Sequence, residues 1–172
     1  MRTTIAIGSM SVLLGLVMGT TATAATQSDS RSDVARGRAA TQQYHDAAVA
    51  VQDGFHATNV CAELPDGSAG MGFHYVNFGR IDGDLIIEEP EVVIYAPTGN
   101  GHRKLVAFEY LIPDADQNLA TDDDRPSLFG QAFDGPMLGH EPGMPIHYDL
   151  HVWAWEANPD GIFAQWNPNV SC

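Results

Sequence analysis

The sequence predicts an α+β domain: one N-terminal helix packed on a curved antiparallel sheet of four to five strands, with a long irregular loop. Three observations predict it. The chain has 172 residues, 44% of them apolar or aromatic, which supports one core and is too little for several. A three- and four-residue apolar periodicity marks the early part of the chain. Beyond residue 55 it gives way to short runs rich in Val, Ile, Tyr, Phe and Trp, separated by Gly, Pro, Asp and Asn, the pattern of antiparallel strands.

The first segment is expected to stand outside the fold. Arg2 is followed by an apolar run from Ile5 to Met18, and then by Ala22-Thr23-Ala24, the pattern of a secretory signal peptide cleaved after Ala24. The run is shorter than the roughly 20 residues a spanning helix needs. Residues 1–24 are therefore expected to be a signal peptide and 25–172 a single globular domain, secreted or periplasmic, with no membrane attachment after cleavage. Loss of Arg2 leaves 7 basic and 22 acidic residues, a net charge of −15. That charge excludes a nucleic-acid surface built on phosphate neutralisation.

Gln27 to Arg31 is polar and is expected to be disordered. Ser32 offers an N-cap with Asp33 in the first turn, and Ala40, Tyr44, Ala47, Ala48, Val51 and Phe55 recur on one face. These predict a single amphipathic helix ending at Gly54. Four main strands follow, Gly70 to Asn77, Glu91 to Ala96, Lys104 to Ile112 and Ile146 to Glu156, with a short extra one at Leu85 to Ile87. Thr98-Gly99-Asn100-Gly101 tolerates positive φ and makes the second and third strands antiparallel neighbours. Pro113 to Pro145 lacks periodicity and reads as a long ordered loop. The whole is a layer arrangement of the kind seen in cystatin-like and NTF2-like folds.

Cys61 and Cys172 are the only cysteines. Export to an oxidising compartment lets them pair, and closing a loop of about 110 residues is worth roughly 4 to 5 kcal/mol in chain entropy, less any strain.

The functional signal lies in Ile146-His147-Tyr148-Asp149-Leu150-His151-Val152-Trp153-Ala154-Trp155. On a strand, period two places His147, Asp149, His151, Trp153 and Trp155 on one face and Tyr148, Leu150, Val152 and Ala154 on the other. The second set is ordinary core. The first is costly to bury without a purpose. His147 and His151 lie about 13 Å apart along such a strand, so they do not converge on one ion, whereas Asp149 can pair with either. A neighbouring strand must complete the site, and His74 and Glu109 are the lone ionisable residues inside the apolar runs that supply one. A cluster drawn from His74, Glu109, His147, Asp149 and His151 suits Zn, Fe or Mn. The competing reading is a hydrogen-bonded sheet in which Asp149 orients a histidine and no metal is bound.

The acids from Asp114 to Asp124 begin like a calcium loop but place Leu119 at the sixth position and Arg125 at the twelfth. That rejects an EF-hand and leaves only a weak, irregular calcium site. Phe129, Phe133 and His140 arrive just before the last strand and, with Trp153, are expected to wall a ligand pocket; Phe129 and Phe133 read equally as a satellite core under a long loop. No nucleophile elbow, P-loop or dinucleotide fingerprint occurs.

The segments Met71–Asn77 (MGFHYVN), Leu128–Gln131 (LFGQ), Pro145–Trp153 (PIHYDLHVW) and Phe163–Pro168 (FAQWNP) leading to Cys172 resemble those of a group of uncharacterised exported bacterial proteins. The resemblance covers nearly the whole mature chain. It implies a bacterial, exported single domain and transfers no catalytic role.

The leading functional expectation is a binding protein that holds a metal ion or small ligand on the His/Asp/Trp face. A metal-dependent hydrolase or oxygenase, with Glu109 or Asp149 as general base, is one alternative. A carbohydrate- or protein-interaction module using Trp153, Trp155 and Trp166 is the other.

Overall fold

The computed structural model describes residues 21–140 and 143–172. The charged start and apolar run behind the expected signal peptide, residues 1–20, lie outside the described residues. The fold is α+β, with a curled antiparallel sheet of six strands and helix on one face.

The helical segment starts earlier than expected and is broken. Helix α1 runs Thr21–Thr41, so Gln27 to Arg31 is helical, and Ser30 inside it donates to the Phe129 carbonyl at 2.7 Å. A 3-10 turn, Gln42–His45, follows. Asp46 then leaves the helical region, accepts the Ala48 amide and caps α2, Ala47–Gln52. An Asp that satisfies a free amide outside the helix competes with helix continuation, which is why one periodic pattern becomes two helices. At Gly37 α1 meets the sheet so closely that a Cβ there would stand 2.8 Å from the Phe108 ring.

Among the described residues eight strands follow: β1 His56–Glu63, β2 Gly70–Val76, β3 Val92–Pro97, β4 Arg103–Pro113, β5 Ser127–Leu128, β6 Gln131–Ala132, β7 Asp134–Met137 and β8 His147–Val152. The main sheet has the order β1-β2-β3-β4-β8-β7, and β5 and β6 form a separate two-stranded hairpin. The Thr98–Gly101 turn joins β3 to β4 as antiparallel neighbours. Six main-sheet strands replace the four to five expected. The additions are β1, polar and bent about Asn59 at φ 60°, and the short β7. Both are edge strands, and an edge is where a strand departs from clean alternation. Leu85 and Ile87 form no strand; they pack against the helix-side core.

The last strand ends at Val152, four residues short of expectation. The amides of Trp155 and Glu156 both donate to the Val106 carbonyl, and the chain turns off the ladder there. A disulfide joins Cys61 on β1 to Cys172, tying the last residue to the sheet edge.

Burial divides into two cores. The helix side holds Tyr44, Tyr75, Val93, Tyr95, Phe108, Tyr110, Tyr148, Leu150 and Val152, and the opposite side holds Val92, Ile94, Ala107, Leu111, Trp153 and Val170. Alternation along β3, β4 and β8 sends successive residues to these two layers.

Candidate metal centre

The layer away from the helices carries the ionisable groups. Glu109 of β4 stands directly opposite His151 of β8, and Asp149 follows two residues from His151 on the same face. His74 of β2 stands opposite Ile94 of β3. One strand therefore separates His74 from Glu109, about 10 Å at the backbone, and their side chains close that gap over β3 from either side.

His74, Glu109 and His151 offer one ligand atom each, all within 4.8 Å of one another. His74 Nε2 lies 3.4 Å from Glu109 Oε2, and His151 Nε2 lies 3.7 Å from the same oxygen. Both separations exceed the 2.7–3.2 Å of a formed hydrogen bond. They approach the spacing of about 3.3 Å that bonds of 2.0–2.1 Å impose between two ligands of one tetrahedral ion. Asp149 Oδ1 is 3.7 Å from His151 Nδ1, the side of the ring opposite Glu109. A carboxylate in that place orients a ligating imidazole and raises its basicity.

Five buried atoms in this region have no hydrogen-bond partner in the protein: Glu109 Oε2, His147 Nε2, Asp149 Oδ1 and both ring nitrogens of His151. Buried polar atoms are almost always partnered. Among the described residues these five exceptions lie in one region of one sheet face.

The electrostatics agree. Burial pushes the Glu109 carboxyl well up, against the pull of His151. Burial alone would lower His151, but Glu109 and Asp149 beside it more than reverse this and raise it. Burial pushes His74 down to about 3, helped by the positive charge of His151. Burial also works to raise Asp149, yet its contact with His151 and the charges of His151, His147 and His74 hold it below the usual carboxylate range. Without a cation Glu109 and His151 hold their protons more tightly than usual; a divalent ion on neutral imidazoles would replace those protons and balance the two carboxylates.

Above the triad lies a cavity of about 630 Å³. The floor carries His74, Glu109, Asp149 and His147, and the walls carry Met71, Val92, Leu111 and Met144 with Thr58, Val60 and Ala62 of β1. Val60 and Phe78 line it while 60% and 67% exposed, which marks the mouth. His151 does not line it; it sits beneath, stacked on Trp153 with ring centroids 6.2 Å apart. Trp153 is locked by donation of its Nε1 to the Ala164 carbonyl at 2.6 Å.

The remaining candidates separate. His147 lines the cavity but is not one of the triad, as the spacing along one strand requires; burial pushes its pKa down, opposed by its bond to the Pro145 carbonyl and by Asp149. His140 packs edge-on against His147 at 5.2 Å and lines the same cavity. Phe129 and Phe133 do not wall it: both lie in the helix-side core, Phe129 against Tyr110 and Phe163. Their loop wraps around to α1, where Ser30 binds the Phe129 carbonyl.

Trp155 leaves the His face altogether and packs on His45 and Arg38 at the helix side. With Trp153 buried and Trp166 in the cavity wall, the three tryptophans form no common surface patch. Asp114, Asp116, Asp122 and Asp124 spend side-chain oxygens on local donors. Asp114 takes the amides of Asp116 and Asn118, and Asp124 takes the Ala115 amide and the Tyr148 hydroxyl. Nothing there favours calcium over a hydrogen-bonded loop.

Thr58, Val60 and Ala62 are contributors that sequence reasoning missed. Their alternation within His56–Glu63 was the available signal, hidden by flanking polar residues. Comparison with protein-family models, curated proteins and solved structures finds no match.

Proposed function

We propose that this chain is an exported bacterial protein that binds one divalent transition-metal ion through His74 Nε2, Glu109 Oε2 and His151 Nε2. The observation that carries the reading is the convergence of two imidazoles and a carboxylate on one point, at distances too long for mutual hydrogen bonds, with the buried atoms around them unpartnered. Two nitrogen ligands and one oxygen suit Zn, Fe or Mn and not calcium, which takes oxygen alone. The Cys61–Cys172 disulfide supports an oxidising compartment. Among the described residues no helix is long and apolar enough to cross a membrane.

His151 closes the site from below while His74 and Glu109 border the cavity. Three protein ligands with one side open are the arrangement of catalytic rather than structural metal sites. This favours a second reading, a metal-dependent enzyme acting on a small molecule, in which an ion at this place would polarise a bound oxygen and Asp149 would hold the His151 ring.

Elemental analysis of protein dialysed against each metal tests the reading. One equivalent of zinc, iron or manganese is expected in the wild type, and less than a tenth of that in His151→Ala and Glu109→Leu. His147→Gln is expected to keep the metal. Equal metal content in the wild type and in both triad variants would sink the proposal.

A further inference from the structure

The cavity is far larger than an ion and its water require, and its size falls in the range of sites for small organic ligands, about 300–1,000 Å³. Apolar side chains dominate its walls, among them Met71, Val92, Leu111 and Met144. Its polar side along β8 has a definite sense. His147 Nδ1 lies 3.2 Å from the Pro145 carbonyl oxygen. A carbonyl only accepts, so Nδ1 carries the hydrogen and, in the neutral ring, Nε2 keeps its lone pair. That Nε2 is buried and has no partner, on a side chain that lines the cavity. Asp149 Oδ1, on the same face of β8, is likewise an unpartnered acceptor.

A buried acceptor without a donor is a loss that a ligand can recover. A carboxylate ligand would set lone pairs against lone pairs. An ammonium head would place a positive charge beside the ion, a clause that rests on the metal reading above. A hydroxyl is the neutral donor that remains. We propose that the cavity binds a largely apolar organic molecule bearing a hydroxyl group, which donates its hydrogen to His147 Nε2 while its apolar body lies against Met71, Val92, Leu111 and Met144.

The test is a naphthalene series differing only in its head group: none, hydroxyl, carboxylate or methylammonium. Binding is read by quenching of tryptophan fluorescence, since Trp166 lines the cavity, and by calorimetry. The series is run on the protein as purified and after dialysis against a chelator. In the dialysed protein 2-naphthol is expected to bind about tenfold more tightly than naphthalene, the order of one recovered hydrogen bond, and more tightly than 2-naphthoate; in the protein as purified it is expected to bind more tightly than the ammonium. His147→Leu is expected to bring 2-naphthol down to the affinity of naphthalene while naphthalene itself is unchanged. A carboxylate preference in the dialysed protein, an ammonium preference in the protein as purified, no binding by any member, or 2-naphthol binding unaltered in His147→Leu would each overturn the proposal. If that variant fails to fold, the ranking on the wild type still decides. A hydroxyl preference in a protein that takes up no metal would leave this inference standing and remove the metal reading alone.

Discussion

On the helix side of the sheet four buried tyrosines have hydroxyl partners. The hydroxyls of Tyr95, Tyr110 and Tyr148 donate to the Tyr44 carbonyl, the Ile87 carbonyl and Asp124 at 2.7, 2.6 and 2.8 Å, and that of Tyr75 accepts from Arg103. On the opposite side the same strands, at the same depth, leave five polar atoms unpartnered. Two buried glutamates on adjacent strands sharpen the contrast. Glu91, immediately before β3, accepts the Leu111 amide with Oε2 at 3.1 Å, whereas Glu109 Oε2 accepts nothing. Burial raises the pKa of both. One face spends its polar groups on the fold and the other keeps them free, so the proposed function rests on polarity without a partner and not on polarity alone.

The contrast is best broken first by a change that touches neither face. Opening the Cys61–Cys172 bridge, with both residues replaced by Ser, releases a closure spanning 111 residues. The expected loss is up to about 4 to 5 kcal/mol in a denaturant titration. None of the triad lies on β1, so metal uptake per folded molecule is expected to stay at the wild-type level. Loss of metal without loss of stability would show that the bridge serves the site rather than the fold.

Glu91 tests the satisfied face. Its native pKa is pushed up to about 7 from 4.5 by burial, so the folded state holds its proton more tightly than the unfolded state. The stabilisation is complete below pH 4.5 and is lost as pH rises through 7. At about 1.4 kcal/mol per pH unit this amounts to about 3 kcal/mol. Glu91→Gln still accepts the Leu111 amide and carries no charge. It is expected to match the wild type at pH 4 and exceed it by about 3 kcal/mol at pH 8, measured by urea unfolding. Parallel pH profiles of wild type and variant would reject the assignment.

Glu109 tests the unsatisfied face with the opposite sign. In chelator-treated protein Glu109→Leu removes a buried carboxyl whose Oε2 makes no hydrogen bond and leaves His151 its contact with Asp149, and the expected gain is about 1 to 3 kcal/mol. The same variant is expected to lose its metal. A side chain whose removal stabilises the fold is retained for function. Destabilisation of the metal-free variant would instead place Glu109 among the structural residues, beside Glu91.

Much of this division is written in local sequence. Period two along residues 147–152 separates His147, Asp149 and His151 from Tyr148, Leu150 and Val152, because the two faces of a strand differ in chemistry residue by residue. His74 and Glu109 stand out for a similar reason, as single ionisable residues in apolar runs. Their meeting does not stand in local sequence: it depends on the β4–β8 register and on a sheet curled enough for His74 to reach over β3. The helix break at Asp46, the strand within His56–Glu63 and the path of Phe129 depend on capping, edge pairing and a contact 99 residues away in the chain. Periodicity carries none of these. Trp155 falls on the wrong face once the ladder stops at Val152, since alternation predicts a side only while the strand continues.

The smallest effect returns to the helix side. Tyr110→Phe removes one hydroxyl from a fully buried ring and leaves the Ile87 carbonyl without its donor. The ring still packs against Phe108 and Phe129, so the expected loss is that of one hydrogen bond, about 1 kcal/mol. Metal content is expected to be unchanged, because Tyr110 and Glu109 point to opposite layers. The pair Tyr110→Phe and Glu109→Leu therefore sets neighbours in sequence against each other: one costs stability and spares the metal, the other adds stability and loses it. Stability changes of the same sign in metal-free protein would mean that both faces are organised alike, and that the unpartnered atoms mark nothing.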